Sequence, residues 1–441
     1  MKIKYFSHGM KKQFELHCKE LGIGLGKSYL LALSGGGDSV CLFHLLKSIG
    51  IDFKAVHCNY QLRGEESDLD EEFVRSLCSE YNIPVEVKRF DTKALIPSRK
   101  GNVQEVARDL RYEWFFELLE DNGYSGILTA HHLNDSIETS LFNFSRGTDI
   151  HGLAGISSVN GPVFRPLNHF RKKEILNYLN EHDFSFRLDS SNLKANYSRN
   201  KIRLEIIPKF EEIFEDVDKR FQKSFENIRN ADEFIACQLD QIRLRLFQDF
   251  AYGTKISIQA LNELTPKVWI LSKLFTSYGF QSGGEIQKLI NASTGKLIAS
   301  KDFRLIKDRD YLLLTKLVEV KKEYQIKHNK GALTEPFKFK WQVLKNDLKA
   351  ENFDVEFDCD TFDLPLTIRT WEQGDYFFPI GMKGRKKISD YFSDQKFSLP
   401  EKENTWLICS GDKIMHIVGY RQDVRFVVSE QTNMKLGIKF K

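Results

Sequence analysis

Between the apolar run SYLLAL (28–33) and the amphipathic run VCLFHLLK (40–47) stand Ser34, Gly35, Gly36, Gly37, Asp38 and Ser39. Consecutive glycines carry no Cβ, so backbone N–H groups can close on a phosphate, and a helix starting there adds the positive end of its dipole. A plain turn needs one glycine at most and no flanking hydroxyls, so the stretch reads as a phosphate cradle. The nearby LGIGLGKS (21–28) imitates a Walker loop but has Leu21 where that motif requires glycine. It also precedes the strand instead of following it, so it reads as a flexible entry to the strand. A second chemical stretch is HHLNDSIET (131–139), where Asp135 and Glu138 lie three apart in what reads as the first turn of a helix. Such acids cap a helix well, and they equally suit a cation or a proton in a cleft.

The elements that must position these groups alternate. SYLLALS, FKAVHCN, VEVKRF and GILTA read as strands, separated by the helical patterns DSVCLFHLLKSIG, EESDLDEEFVRSLCSEYN and NVQEVARDLRYEWFFELLEDNG. Strand and helix at this spacing mean βαβ units, hence a Rossmann-like parallel sheet with helices on both faces. Ligands in such sheets bind beyond the carboxyl ends of the strands, where both chemical stretches fall. From Val217 to about Phe250 the pattern is helical and charged, and helical segments are expected to about Ala299. FRLIKDRDYLLLTK (303–316) reads as a hairpin, and short strands and turns dominate from about 333. The expected division is an α/β domain over 1–215, a mainly helical domain over 216–330 and a small α+β domain over 331–441.

Composition bounds the rest. The 441 residues are 41% hydrophobic and 29% charged, which describes a globular chain of two or three domains. Neither a membrane-spanning stretch nor a signal peptide is read, so no membrane partner and a cytoplasmic setting are expected. The seven scattered cysteines include no C-x-x-C pair, which argues against a disulfide framework and a zinc site. A net charge of +4 is neutral on the question of nucleic acid, but FRPLNHFRKK (164–173), NLKANYSRNKIR (192–203) and MKGRKK (382–387) are local basic patches.

The Ser-Gly-Gly-x-Asp-Ser arrangement resembles the pyrophosphate-loop ATP pyrophosphatases. HCNYQLRGEESD (57–68), GNVQEVARDLRY (101–112), TAHHLNDSIET (129–139), SRGTDIHGLAGI (145–156), FRPL (164–167), DSSN (189–192) and SRNKIR (198–203) then follow in order. Together they resemble the tRNA(Ile)-lysidine synthetases over about the first 210 residues. The likeness returns more loosely in IRTWEQGDYFFPIGMKGRKKISDYFSDQK (368–396). The resemblance implies joining of free L-lysine to C2 of the wobble cytidine in a tRNA(Ile) with a CAU anticodon. ATP adenylates the C2 oxygen, and lysine then displaces AMP. It also implies an ATP site at Ser34, Gly35, Gly36, Gly37, Asp38 and Ser39.

Other site residues follow from the same likeness. Glu105, Arg108 and Arg111 share a helical face. A salt-bridged surface serves equally well for Glu105 and Arg108, whereas Arg111 suits the charge that builds on an α-phosphate. His57 and Asn59 end the second strand, where adenine or ribose would lie. Asp135 and Glu138 are expected to serve Mg²⁺, with Asp135 as its ligand, and the lysine that must lose a proton. The family usually has Asp-Asp where this chain has Asn134-Asp135, a lost charge. Arg146, Arg165, Arg171, Arg199 and Arg203, with Lys383, Arg385, Lys386 and Lys387, are the expected tRNA contacts. A non-catalytic tRNA-binding protein and another pyrophosphate-loop tRNA-modifying enzyme are the alternative readings, and self-association as a homodimer is left open.

Overall fold

The computed structural model describes residues 4–99, 102–188, 198–317, 323–345 and 352–440. The chain divides into two compact units, Met1–Ile235 and Ala236–Lys441.

The first unit is built on a six-stranded sheet: β1 (Ser28–Ala32), β2 (Asp52–Asn59), β3 (Val85–Arg89), β4 (Ile127–Leu128), β5 (Val159–Asn160) and β6 (Val163–Phe164). Their order is β3-β2-β1-β4-β6-β5, parallel throughout except for the β5–β6 pair. The expected parallel sheet is therefore present. Alternation along each strand divides its side chains between two cores. Leu31, Ala55 and Leu128 join the helices Lys4–Glu20, Gly37–Ser48, Glu65–Glu80 and Lys172–Glu181 on one face. Leu30, Val56 and Ile127 join the helix Val103–Asn122 on the other. From β1 the chain steps outward through β2 to β3 and then crosses back to place β4 on the other side of β1, so the strand order reverses there and the carboxyl edge is a topological switch point.

Helix boundaries follow local chemistry. Asn102 caps Val103–Asn122 in a reciprocal box with Glu105, and Gly123 closes it at φ +68°. Glu105 therefore spends its carboxylate on the Asn102 N–H, 2.9 Å away. The helix Leu133–Arg146 starts with a second box, in which the His132 N–H donates to Asp135 Oδ2 at 2.9 Å.

In the second unit, the stretch expected to be mainly helical contains the helices Ile258–Asn262, Lys267–Phe275 and Gly283–Ile290. They cover a five-stranded antiparallel sheet formed by 247–250, 253–257, 297–299, 303–308 and 311–316. The hairpin 303–308/311–316 is as expected; the other strands run three to five residues, too short to interrupt a helical pattern in the sequence. Of the remaining strands, a five-stranded and a four-stranded sheet enclose one core around Phe357, Ile368 and Leu436, and Tyr376–Phe377 pairs with Lys386–Lys387 in a two-stranded ribbon. No helix of the described residues is long and apolar enough to cross a membrane.

Candidate active site

A cleft of about 650 Å³ opens at the carboxyl edge of β1 and β4, a size that suits a nucleotide. Its floor is the loop Ser34–Ser39. Gly35 has φ +89°, a backbone region that side chains strain to enter, and its carbonyl accepts the Arg187 N–H at 2.9 Å. A Cβ on Gly37 would stand 3.2 Å from the Phe186 ring and 3.4 Å from Leu179, so close packing favours glycine there. The two hydroxyls brace the loop from inside. Ser39 donates to the Gly36 carbonyl at 2.9 Å and accepts the Ser34 N–H at 3.2 Å, while Ser34 Oγ accepts the Gly36 N–H at 3.3 Å. No side chain caps the helix that starts at Gly37, so its positive end faces the cleft.

Asp38 lies in the first turn of that helix, and its carboxylate meets Lys172 and His132. Lys172 Nζ is 2.5 Å from Oδ1 and His132 Nε2 is 3.6 Å from Oδ2. Burial opposes the charge, but the His132 hydrogen bond and the attraction of both groups outweigh it and hold the carboxyl at about 2. His132 thus stands between Asp38 and Asp135, and these carboxylates raise its pKa against the effect of burial. Its neighbour His131 is pushed down to about 4 by burial, with Arg165 and Arg111 adding to the effect, so this ring is neutral near pH 7.

Arg111 lines the cleft, stacked 5.0 Å from the Tyr112 ring, with its Nε buried and unpartnered among the described residues. Asp135 also lines it. Glu138 does not: at 5% exposure it is bound by Arg203, whose Nε and Nη2 lie 2.6 Å and 2.9 Å from its two oxygens. Arg203 also reaches Asp135 at 3.3 Å, and these carboxylates keep the guanidinium firmly charged despite its burial. The expected tRNA contact Arg203 is therefore an internal partner of the acidic pair, placed there by a π-helical turn over Ile202–Ile206.

Three further expectations need correction. His57 and Asn59 are turned away from the cleft: His57 Nδ1 bonds the Leu33 carbonyl at 2.8 Å, and Asn59 donates to Glu71 at 3.0 Å and to Asp68 at 3.1 Å. Strand alternation explains this, since Val56 and Cys58 take the cleft-facing positions of β2. Arg165 is 4% exposed and donates to the Ser157 carbonyl at 2.8 Å, which makes it a framework residue. Lys386 is tied to Asp394 at 2.5 Å. By contrast Arg146 and Arg199 are exposed and share the ring of Phe142, at 5.3 Å and 5.4 Å. Lys383, Arg385 and Lys387 are exposed, and Arg385 lies 5.2 Å from the Tyr376 ring. Arg171 pairs with Glu174 at 3.0 Å. DSSN (189–192) and the stretch 193–197 lie outside the described residues.

Lys172 lines the cleft, as do Arg63, Asp70 and Arg187, and the sequence singles out none of the four as a site residue. Lys172 opens the helix Lys172–Glu181, where a cation opposes the helix dipole. A lysine in that unfavourable place, just past a strand edge, was the available signal.

Comparison with known proteins agrees with this geometry. Family models match in three places: a PP-loop domain over residues 10–210, a TilS substrate binding domain over 251–317 and a TilS substrate C-terminal domain over 366–437. A tRNA(Ile)-lysidine synthase of Parabacteroides distasonis is 40% identical over 418 residues, 93% of this chain and 95% of that protein. One from Bacteroides thetaiotaomicron is 37% identical over 408 residues, 91% of this chain and 93% of that protein. Among solved structures, the U34-tRNA thiolase NcsA of Methanococcus maripaludis aligns at TM-score 0.44 and 16% identity, covering 51% of this chain and 80% of its own. With the pyrophosphate-loop cleft in place and relatives matched across nearly their full length, this chain belongs to the tRNA(Ile)-lysidine synthase family.

Proposed function

We propose that the chain joins free L-lysine to C2 of the wobble cytidine in a tRNA(Ile) with a CAU anticodon, converting ATP to AMP and diphosphate. In the first step the cytidine C2 oxygen attacks the α-phosphorus. A new O–P bond forms, the bond to the bridging oxygen breaks, and its electron pair leaves with diphosphate. In the second step the deprotonated ε-amine of lysine attacks C2, the C–N bond forms, and AMP departs with the C2 oxygen. The product pairs with adenosine, so the codon read changes from AUG to AUA.

The observation that carries this reading is the convergence of the Ser34–Ser39 cradle, Asp38, Arg111 and Asp135 on one cleft. The loop amides and the helix start hold the departing diphosphate. Arg111 meets the charge that develops on the α-phosphate. Asp135 receives the lysine ammonium and takes its proton, while Glu138 fixes Arg203 beside it. Asp38 and Asp135 are hard carboxylate donors in the same cleft, and one or two carboxylates plus phosphate oxygens make an ordinary Mg²⁺ site. When bound, Mg²⁺ supplies neutralisation of phosphate charge. Residues 1–215 carry the chemistry, and 216–330 and 331–441 serve tRNA, with Arg146, Arg199, Lys383, Arg385 and Lys387 as its exposed cations.

Incubation with an isoleucine tRNA transcript, ATP, Mg²⁺ and labelled lysine tests the reading. AMP, diphosphate and labelled lysidine should appear in equal amounts, with methionine tRNA left unmodified. Formation of ADP and orthophosphate, or label absent from the nucleosides, overturns it.

A further inference from the structure

We propose that Lys172 is a catalytic residue of the adenylyl-transfer step, paired with Asp38 in the cleft and set in position by the side-chain carbonyl of Asn134. This inference rests on the function proposed above.

Three observations lead to it. The Lys172 ammonium stands 2.5 Å from a carboxylate in the first turn of the helix whose start forms the phosphate cradle. It therefore occupies the mouth where a triphosphate must enter. An ammonium carries three donors, so it can keep Asp38 and still donate to an incoming phosphate oxygen. Its side chain is 39% exposed, which leaves it free to turn toward a ligand.

Second, the placement is costly unless it is used. A cation in the first turn of a helix is disfavoured by the positive end of the dipole. The partly exposed pair with Asp38 returns little against this. A structural role alone gives little reason for lysine here, whereas an anion in the cleft gives one.

Third, Asn134 Oδ1 accepts the Lys172 backbone N–H at 2.9 Å. This bond joins the start of the helix Leu133–Arg146, which carries Asp135, to the start of the helix that carries Lys172. Asn134 thus acts as a positioning residue through its carbonyl oxygen. An aspartate would accept the same hydrogen bond, so the position needs an acceptor and not a charge. In the transfer itself, negative charge grows on the α-phosphoryl oxygens as the bond to diphosphate breaks. An ammonium that stands close at that moment stabilises the transition state more than bound ATP, so its effect falls on turnover.

The test measures AMP release with saturating tRNA in Lys172→Met, Lys172→Arg, Asn134→Asp and Asn134→Leu. Lys172→Met should lose about 100-fold or more in kcat with KM for ATP nearly unchanged, as removal of a charge-stabilising donor does. Lys172→Arg should recover part of the loss. Asn134→Leu should lower kcat while thermal unfolding stays cooperative, and Asn134→Asp, which retains the acceptor, should recover most of that loss. Lys172→Cys treated with 2-bromoethylamine, which rebuilds the ammonium, decides the matter if the Met variant melts early: activity must return on alkylation. A Met variant with wild-type kcat, a change in KM alone, or no recovery on alkylation overturns the role of Lys172. Equal turnover in Asn134→Leu and wild type overturns the role of Asn134. If the wild-type protein itself releases no AMP, the proposed function fails instead, before any variant is compared.

Discussion

His44 is folded as a neutral aromatic ring. It is 5% exposed, lies flat against Phe184 at 3.5 Å, and receives the edges of Phe43 and Tyr81 at 5.3 Å and 5.1 Å. Burial pushes its pKa down to about 4, and the nearby cation Lys47 adds to the effect. An unfolded chain takes up this proton near pH 6.5, so between those values the unfolded state binds more protons than the folded one. The stability tied to His44 is therefore complete above 6.5 and falls as pH drops toward 4. His169 and His416 are depressed to about 4 for the same first reason and steepen the same limb. The Asp38 carboxyl sits at about 2 against an unfolded value of about 3.9, so the stability tied to it is lost mainly below pH 4 and touches only the lower end of this window. His44→Phe keeps a flat ring in the stack and removes the proton site. Its melting temperature should fall less between pH 6.5 and 4 than that of the wild type, with the two proteins close at pH 8. Parallel curves for both would show that His44 does not titrate across folding.

Arg203 and Glu138 connect two elements, the helix Leu133–Arg146 and the turn Ile202–Ile206. The two-point contact lies one helical turn from Asp135, so it also fixes the acidic wall of the cleft. Glu138→Ala removes the two-point partner of the guanidinium, with Asp135 still beside it. Breaking a buried pair costs about 3–5 kcal/mol, and the 36% exposure of the Arg203 side chain lowers the expectation to roughly 2–3 kcal/mol. Urea unfolding at pH 7.5 should show that loss, with Glu138→Gln losing less because it keeps an acceptor. A loss below about 1 kcal/mol in the Ala variant would show that the turn is held by other contacts. This contact also marks the limit of what the sequence makes legible. Asn102, Glu105 and Gly123 announce the helix Val103–Asn122 because capping is local chemistry, and the Ser34–Ser39 cradle is legible for the same reason. Arg203 with Glu138, and Lys172 with Asp38, are contacts made by chain folding across 65 and 134 residues. Residue type marks these side chains as charged but does not state whether a phosphate or a carboxylate receives them. His57 and Asn59 were assigned to the wrong face because parity along β2 cannot be fixed until the face that opens to the cleft is known. The short strands of 247–299 escape for lack of length, since three to five residues carry too little period to separate strand from helix.

Across the whole molecule, 65 basic residues nearly balance 61 acidic ones, so attraction to RNA must come from where unpaired cations gather. Many cations are spent on partners within the protein, Arg165 and Arg203 inside the fold and Lys386 on its surface. The segment 382–385 follows a different rule. It lies between the paired strands Tyr376–Phe377 and Lys386–Lys387, with Lys383, Arg385 and Lys387 exposed beside the half-exposed Tyr376 ring. An exposed turn cannot bury its charges, and its glycines, Gly381 at φ +82° and Gly384 at φ +93°, keep the backbone in a conformation that other residues strain to adopt. Cations held outward on a short ribbon suit contact with a phosphate backbone. Lys383→Ala, Arg385→Ala and Lys387→Ala combined should weaken tRNA binding and reduce the salt dependence of that binding. Each lost phosphate contact lowers the slope of log K against log salt by about 0.7 on a single strand to about 0.9 on a B-form duplex, so three contacts lower it by roughly 2–3. Turnover at saturating tRNA should stay near wild type, because none of these side chains belongs to the cleft. Filter binding between 50 mM and 200 mM salt measures the slope. An unchanged slope with unchanged affinity would remove the ribbon from the RNA-binding surface and leave Arg146 and Arg199, paired over Phe142, as the cations to test next.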